Sequence, residues 1–149
     1  MPTFIRHITV DCAPPYEPYE LARFWSEVLG QPVDPEDEPG DDEVCLEVPE
    51  GQSTLLFVRV PDEKALKNRV HFDLGPELPR DQEVERLSAL GASVVEDRRR
   101  PNGSGWVVMA DPAGNEFCVE GNPEEHARAQ REYSAKEAAR KAAEAAGQP

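Results

Sequence analysis

The sequence has little positive charge. Its 149 residues include 16 Lys and Arg against 30 Asp and Glu, a formal net charge of -14. Proteins that bind nucleic acid neutralise phosphates with basic side chains, so this balance argues against a nucleic-acid partner. The dense basic run Arg98–Arg100 precedes a Pro-Asn-Gly turn, which favours a solvated loop. The alternative is a rim that attracts an anionic substrate.

Long apolar runs are also missing. No stretch of the sequence is apolar enough and long enough to cross a bilayer. The first residues lack the basic-then-apolar pattern of a secretory signal. We therefore expect a cytoplasmic protein that does not bind membranes.

Cysteine is scarce. Cys12, Cys45 and Cys118 form an odd and widely spaced set, which is neither a disulfide framework nor a paired zinc knuckle. Each lies in an apolar, strand-like stretch. The pattern favours buried free thiols, because a free cysteine behaves as a small hydrophobe.

What the sequence does contain is a repeated order of elements. Each half predicts a strand, then a helix stopped by glycine, then two or three strands. In the first half these are strand 4–12, helix 19–29 before Gly30, and strands 43–48 and 54–60. In the second half they are strand 69–74, helix 81–90 before Gly91, and strands 92–96, 105–110 and 116–120, with a turn at 111–115.

This repeat predicts two copies of one unit that share a core, since neither half alone can cover its apolar face. The length suits one domain, which we place at residues 1–121 with halves of about 1–62 and 63–121. The tail, 122–149, is Ala-rich and opens with Asn122, Pro123 and Glu125, a typical helix start. We interpret it as a surface appendage or an interface element.

Candidate functional residues lie on one face of three predicted strands. Side chains in a strand alternate between faces, so the apolar residues of each strand separate from its polar ones. The apolar face carries Phe4, Ile8 and Val10, then Val70, Phe72 and Leu74, then Phe117 and Val119. The opposite face carries His7, Thr9 and Asp11, then His71 and Asp73, then Glu116, Cys118 and Glu120.

Two imidazoles and a carboxylate, His7, His71 and Glu120, are good ligands for a divalent metal such as Zn, Mn, Ni or Fe. Spacing alone does not show that they converge. A single strand histidine is more often a hydrogen-bonded core or surface residue, and a glutamate at a strand end is usually solvated.

Four segments carry a resemblance to a known superfamily. They are His7-Ile-Thr-Val-Asp11, the helix Leu21–Gly30, Arg69-Val-His-Phe-Asp-Leu74, and Trp106–Glu120 with its Asp-Pro-Ala-Gly-Asn-Glu-Phe ending. In this order they resemble the vicinal-oxygen-chelate superfamily, and most closely its small glyoxalase-like branch. The likeness covers residues 4–121.

The resemblance implies an α+β fold of two paired βαβββ modules that form a cup-shaped mixed sheet around a divalent metal, here followed by the C-terminal helix. By position, His7, His71 and Glu120 correspond to the family's metal ligands. The pseudo-symmetric partner of Glu120 is predicted at Phe57, where glyoxalase I-type members have a carboxylate. This departure leaves a three-ligand site. Such modules often pair across two chains, which implies a homodimer.

The implied function is a metal-dependent lyase or transferase that acts on a small oxygen-bearing substrate. Thr9 lies two residues after a ligand, as in fosfomycin-modifying enzymes, and Glu116 shares the metal-side face, so both are candidate catalytic residues. A plain β-favouring threonine is the alternative for Thr9. For the whole protein, the alternatives are a non-catalytic binder of small molecules, similar to bleomycin-resistance proteins, and a module whose tail docks a partner.

Overall fold

The computed structural model describes residues 3–49 and 51–146; residues 147–149 of the predicted tail and the first two residues of the predicted domain lie outside this range. The described elements follow the predicted order closely. They are β1 (His7–Cys12), α1 (Pro18–Leu29), β2 (Glu43–Cys45), β3 (Thr54–Arg59), β4 (Asp73–Leu74), α2 (Arg80–Leu90), β5 (Ser93–Asp97), β6 (Val107–Ala110), β7 (Glu116–Val119) and α3 (Pro123–Ala146).

The strands form two sheets with the same internal plan. Their orders are β1-β3-β2 and β4-β7-β6-β5. In each sheet the first strand runs parallel to the last strand of its half, and the other pairs are antiparallel. The counterpart of β5 in the first half is reduced to an isolated bridge between Val33 and Leu46. The repeat and the mixed α+β class are therefore confirmed.

Several predicted strands are shorter than expected, among them the first strand of each half. Strand β1 begins at His7, and Phe4, which was predicted on the core face, is 74% exposed. Strand β4 contains only Asp73 and Leu74, although the carbonyl of Phe72 still accepts a hydrogen bond of 2.8 Å from the Cys118 amide. Both strands are edges of their sheets, so each is held from one side only.

Trp25 on α1 joins the two halves. Its ring is 1% exposed and makes edge-to-face contacts with Phe72 and Phe117, each at 5.3 Å between centroids. Since Trp25 belongs to the first half and both partners to the second, the halves share one core. Each such aromatic pair contributes about 0.5–1.5 kcal/mol beyond area burial.

The tail helix begins where the sequence predicts. The Asn122 side chain accepts a hydrogen bond from the Glu125 amide, and the Glu125 carboxylate accepts one from the Asn122 amide, both at 2.9 Å. The same carboxylate accepts the Arg80 amide at 3.0 Å, at the first residue of α2. One side chain thus satisfies amides at the starts of two helices, which fixes α3 against the second half.

Replacing Glu125 by alanine is expected to lower the free energy of unfolding by about 1–2 kcal/mol, because two helix-start amides lose their acceptor. Chemical denaturation at neutral pH measures this. The exposed neighbour provides the control: Glu124→Ala should change stability by less than about 0.5 kcal/mol. Equal losses in the two variants would contradict the shared cap.

The same cap predicts a pH dependence. Burial acts to raise the pKa of Glu125, but hydrogen bonds from Asn122 and Arg80 and the charges of Arg80 and Arg128 outweigh it, so the net shift is downward. A carboxyl pKa that is depressed in the folded state stabilises the fold at pH values above the pKa of the unfolded chain, about 4.3 for glutamate. This stabilisation is lost as pH falls through the folded-state pKa. The stability difference between native protein and Glu125→Ala should therefore narrow in acid.

Candidate active site

A cavity of about 720 Å³ lies between the two halves of the chain. One wall is residues 8–11 of β1 with the Pro-rich connection that follows. The opposite wall is residues 68–72 before β4 and parts of the 111–116 turn. Trp25 and Phe72 supply apolar surface, so the cavity combines an aromatic part with polar groups.

Three of the five residues predicted for the site meet in this cavity. Thr9 on β1, His71 just before β4 and Glu116 at the start of β7 all line it. The other two, His7 and Glu120, are not among its lining residues. Both predicted catalytic residues therefore share a cavity with one of the predicted ligands.

The Glu116 carboxylate is held by a lysine and a backbone amide. Lys64 Nζ lies 3.2 Å from Glu116 Oε2, and the Asn68 amide donates to the same oxygen at 3.2 Å. Burial acts to raise the pKa of Glu116, but the bonds from Asn68 and Lys64 outweigh it and the net shift is downward. Glu116 is thus an ionised acceptor at neutral pH and not a proton donor.

Replacing Lys64 by glutamine is expected to raise the pKa of Glu116, because the carboxylate loses both a hydrogen bond and a positive charge. NMR titration of the glutamate carboxyl carbons measures this directly. Lys136→Gln, on the exposed tail helix, is the charge-matched control and should leave the Glu116 titration in place. An unchanged titration in Lys64→Gln would show that the ion pair does not form.

Asp111 is a buried residue that lines the cavity. It is 3% exposed and accepts hydrogen bonds from Trp25 Nε1 at 3.1 Å and from the Asn115 amide at 2.8 Å. The Asn115 side-chain amide adds a third bond of 3.0 Å. Burial raises the pKa of Asp111, and these bonds partly offset that effect. The Asp-Pro-Ala-Gly-Asn turn therefore has a structural role, since it ties β6 and β7 to the indole of α1.

His71 belongs to a group of three metal-ligating side chains. Within residues 3–49 and 51–146, one such group has its donor atoms all within 4.8 Å of one another, and it consists of His71, Asp73 and Cys118. His71 Nε2 lies 3.3 Å from Asp73 Oδ1. Asp73 and Cys118 are register partners across β4 and β7, so sheet pairing sets their proximity. One imidazole nitrogen, one carboxylate oxygen and one sulfur at this spacing fit a divalent metal.

The Cys118 thiol lies in a crowded, negative environment. It is 8% exposed. Burial, together with a hydrogen bond and the negative charge of Asp73, raises its pKa to about 11, and the charge of Glu120 acts in the same direction. A cation at this position would relieve that repulsion.

His7 and Glu120 are not members of this group. His7 is exposed at the start of β1. Glu120 Oε2 instead lies 3.4 Å from His126 Nε2 on the tail helix. The set His7, His71 and Glu120 accordingly stays a prediction.

Phe57, the predicted counterpart of Glu120, lies one residue before the position that the strand pairing gives. Thr9, two residues after His7, pairs with Leu56, and Asp73, two residues after His71, pairs with Cys118. Leu56 and Cys118 are therefore equivalent positions in the two halves. Val58 lies two residues after Leu56 and Glu120 lies two residues after Cys118, so Val58 is the counterpart of Glu120. Phe57 is instead fully buried in the core. The physical reason is strand alternation: a shift of one residue moves a side chain to the other face. The chain still has no carboxylate at the matching position.

Sequence reasoning missed Lys64, Asn68 and the proximity of Cys118 to His71. The first two lie between predicted elements, and nothing in their local pattern shows that they fold back onto β7. Cys118 carried a signal, because it shares a face with Glu116 and Glu120. Its apolar surroundings favoured an inert thiol, and Cys12 and Cys118 are indeed buried and Cys45 half-buried, all as free thiols.

Comparisons with known proteins agree with this fold. Residues 7–120 match the family model described as a glyoxalase-like domain. Among curated proteins, none matches. No helix in the described part of the chain carries an apolar stretch that would span a bilayer.

Several solved structures are similar to this chain at low sequence identity. Lactoylglutathione lyase from Agrobacterium tumefaciens is 23% identical with a TM-score of 0.52, over 83% of this chain and 96% of that one. The fosfomycin resistance protein FosX from Listeria monocytogenes is 18% identical with a TM-score of 0.58, over 85% and 98%. A FosX variant complexed with Mn(II) and 1S,2S-dihydroxypropylphosphonic acid is 19% identical with a TM-score of 0.58, over 84% and 95%.

Proposed function

The chain belongs to the glyoxalase-like domain family, and from this premise we propose that it is a metal-dependent enzyme acting on a small oxygen-bearing substrate. One observation carries the proposal: Thr9, His71 and Glu116 line a single cavity of about 720 Å³. That volume suits a small-molecule substrate, since ligand pockets span roughly 300–1,000 Å³. The reaction class we favour is that of a lyase or transferase.

The chain's own residues have distinct tasks in this proposal. Glu116 is ionised and oriented by Lys64, so it can accept a proton or a hydrogen bond from the substrate. The Thr9 hydroxyl can donate to a substrate oxygen, and Trp25 and Phe72 keep water from that side of the cavity. A divalent metal, when bound, supplies Lewis-acid stabilisation of negative charge on a substrate oxygen.

His71 is the ligand common to every arrangement we consider. The predicted set adds His7 and Glu120, which are not in the group of side chains whose donor atoms lie close together. We propose that a homodimer brings a second copy's His7 to this site. Exposed apolar residues close in sequence to the two histidines support a partner there: Ile5 is 66% exposed, Leu66 81% and Val70 76%. Analytical ultracentrifugation tests this, and a monomer at micromolar concentration would exclude it.

The activity test uses native protein supplied with Zn, Mn, Ni or Fe and three substrate classes: 2-oxoaldehydes with a thiol, epoxides with a nucleophile, and catechols. We expect turnover with one class and a metal requirement. Glu116→Gln should then lower kcat by about 10²–10⁴-fold, the usual contribution of a positioned acid or base. Glu124→Gln on the exposed start of α3 is the control. Absence of turnover in all classes with every metal would contradict the enzyme proposal.

A non-catalytic binder is the second candidate, and the aromatic part of the cavity favours it. Trp25, Phe72 and Tyr16 are all among the residues that line the cavity, and aromatic side chains are typical of small-molecule pockets. This candidate predicts saturable binding of aromatic compounds that is unchanged by metal or by His71→Ala. Tryptophan fluorescence titration reports it, because Trp25 forms part of the wall.

A further inference from the structure

We propose that one chain alone holds a metal through a thiolate: the ligands are His71, Asp73 and Cys118, and Cys118 coordinates through sulfur. The inference deepens the proposed function, because it rests on a metal bound at His71 and names its other ligands. It differs from the predicted set in two ligands, since Asp73 and Cys118 take the places of His7 and Glu120.

The geometry is the first support. The donor atoms of the three side chains lie within 4.8 Å of one another. A tetrahedral zinc-like centre has ligand bonds of about 2.0–2.3 Å, so its donor atoms lie within about 4 Å of one another. Small side-chain rotations therefore close the site, and the pairing of Asp73 with Cys118 keeps two ligands in register.

Burial of the thiol is the second support. Cys118 is 8% exposed, yet it lies on the face of β7 that also carries Glu116 and Glu120 and not on the core face of Phe117 and Val119. An inert core thiol would be expected among aliphatic side chains. This one lies instead against a carboxylate, which attracts a cation.

Access to the cavity is the third support. The side chains of His71 and Asp73 are 40% and 55% exposed, so an ion can reach them from solvent. His71 also lines the cavity, which places the metal at its edge. Three protein ligands leave a coordination position open for water or substrate.

Metal binding at this site releases one proton. The divalent cation displaces the proton of the Cys118 thiol, and that proton leaves to water. Sulfur, nitrogen and oxygen donors together favour a borderline metal such as zinc or cobalt over magnesium, calcium or manganese. We therefore expect this site to prefer zinc or cobalt.

The test adds Co²⁺ to metal-free protein and records its absorption spectrum. Cobalt bound to a thiolate shows a sulfur-to-metal charge-transfer band in the near ultraviolet, which nitrogen and oxygen ligands alone do not give. We expect the band in the native protein and in Cys45→Ser, a half-buried thiol outside the group. In Cys118→Ser the band should vanish and the Co²⁺ affinity should fall by more than about 100-fold.

Other outcomes separate this inference from the proposed function. One contradicting result is Co²⁺ binding without the band, with affinity lost in His7→Ala or Glu120→Gln but kept in Cys118→Ser and Asp73→Asn. The thiolate site is then wrong, while the metal site of the proposed function stands. If Co²⁺ does not bind at all, the thiolate site is wrong, and if Zn, Mn, Ni and Fe do not bind either, the proposed function fails as well. Circular dichroism of Cys118→Ser confirms that the fold is retained, since serine nearly matches the shape of cysteine.

Discussion

Replacing Asp111 by alanine is expected to lower the free energy of unfolding by about 3 kcal/mol, because it leaves one buried donor and two half-buried donors without their acceptor. The Trp25 indole nitrogen and both nitrogens of Asn115 lose their bonds to one carboxylate. Trp25 itself is 1% exposed, so its indole nitrogen has little contact with solvent in the native fold. Equilibrium denaturation measures the change.

Two variants test whether the network is the cause. Trp25→Phe removes one donor and keeps most of the aromatic packing, and it should cost less than Asp111→Ala. In the double variant the losses should not add, because both remove the same hydrogen bond. Fully additive losses, or an Asp111→Ala protein as stable as the native one, would show that the turn does not tie the halves together.

Replacing His71 by alanine is expected to reduce divalent-metal affinity by more than about 100-fold. His71 is the one ligand shared by the predicted set and by the group with Asp73 and Cys118. Since its side chain is 40% exposed, the change should leave the free energy of unfolding within about 0.5 kcal/mol. Competition titration with a metal indicator measures the affinity.

His126→Ala is the matched histidine control. His126 lies on the tail helix and contacts Glu120, but it belongs to neither ligand set. Its removal should leave metal affinity near the native value. If His126→Ala weakens binding as much as His71→Ala, the metal lies at the Glu120 end of β7 and the cavity assignment is wrong.

Local pattern was enough to predict the order of the elements, the ends of the first two helices and the core face of β7. Gly30 and Gly91 end the first two helices, as predicted, and both have left-handed backbone conformations. Alternation in β7 places Phe117 and Val119 in the core, 1% and 0% exposed. These features depend on neighbouring residues in the chain, so sequence periodicity reports them well.

Features that depend on distant residues were harder to predict. The register between β1 and β3 is set by a pairing of residues almost 50 positions apart, which is why Val58 and not Phe57 matches Glu120. Lys64 meets Glu116 because a linker folds across β7. Cys118 approaches His71 through the two-residue strand β4. None of these contacts leaves a periodic trace in the sequence.

Elemental analysis of native protein purified without chelators tests the central claim most directly. If a divalent metal is held at His71 on the edge of the cavity, the protein will carry near-stoichiometric metal, and His71→Ala will carry little. If the native protein remains metal-free even after Zn, Mn, Ni or Fe is supplied, the metalloenzyme account is contradicted, and the cavity is that of a metal-independent binder.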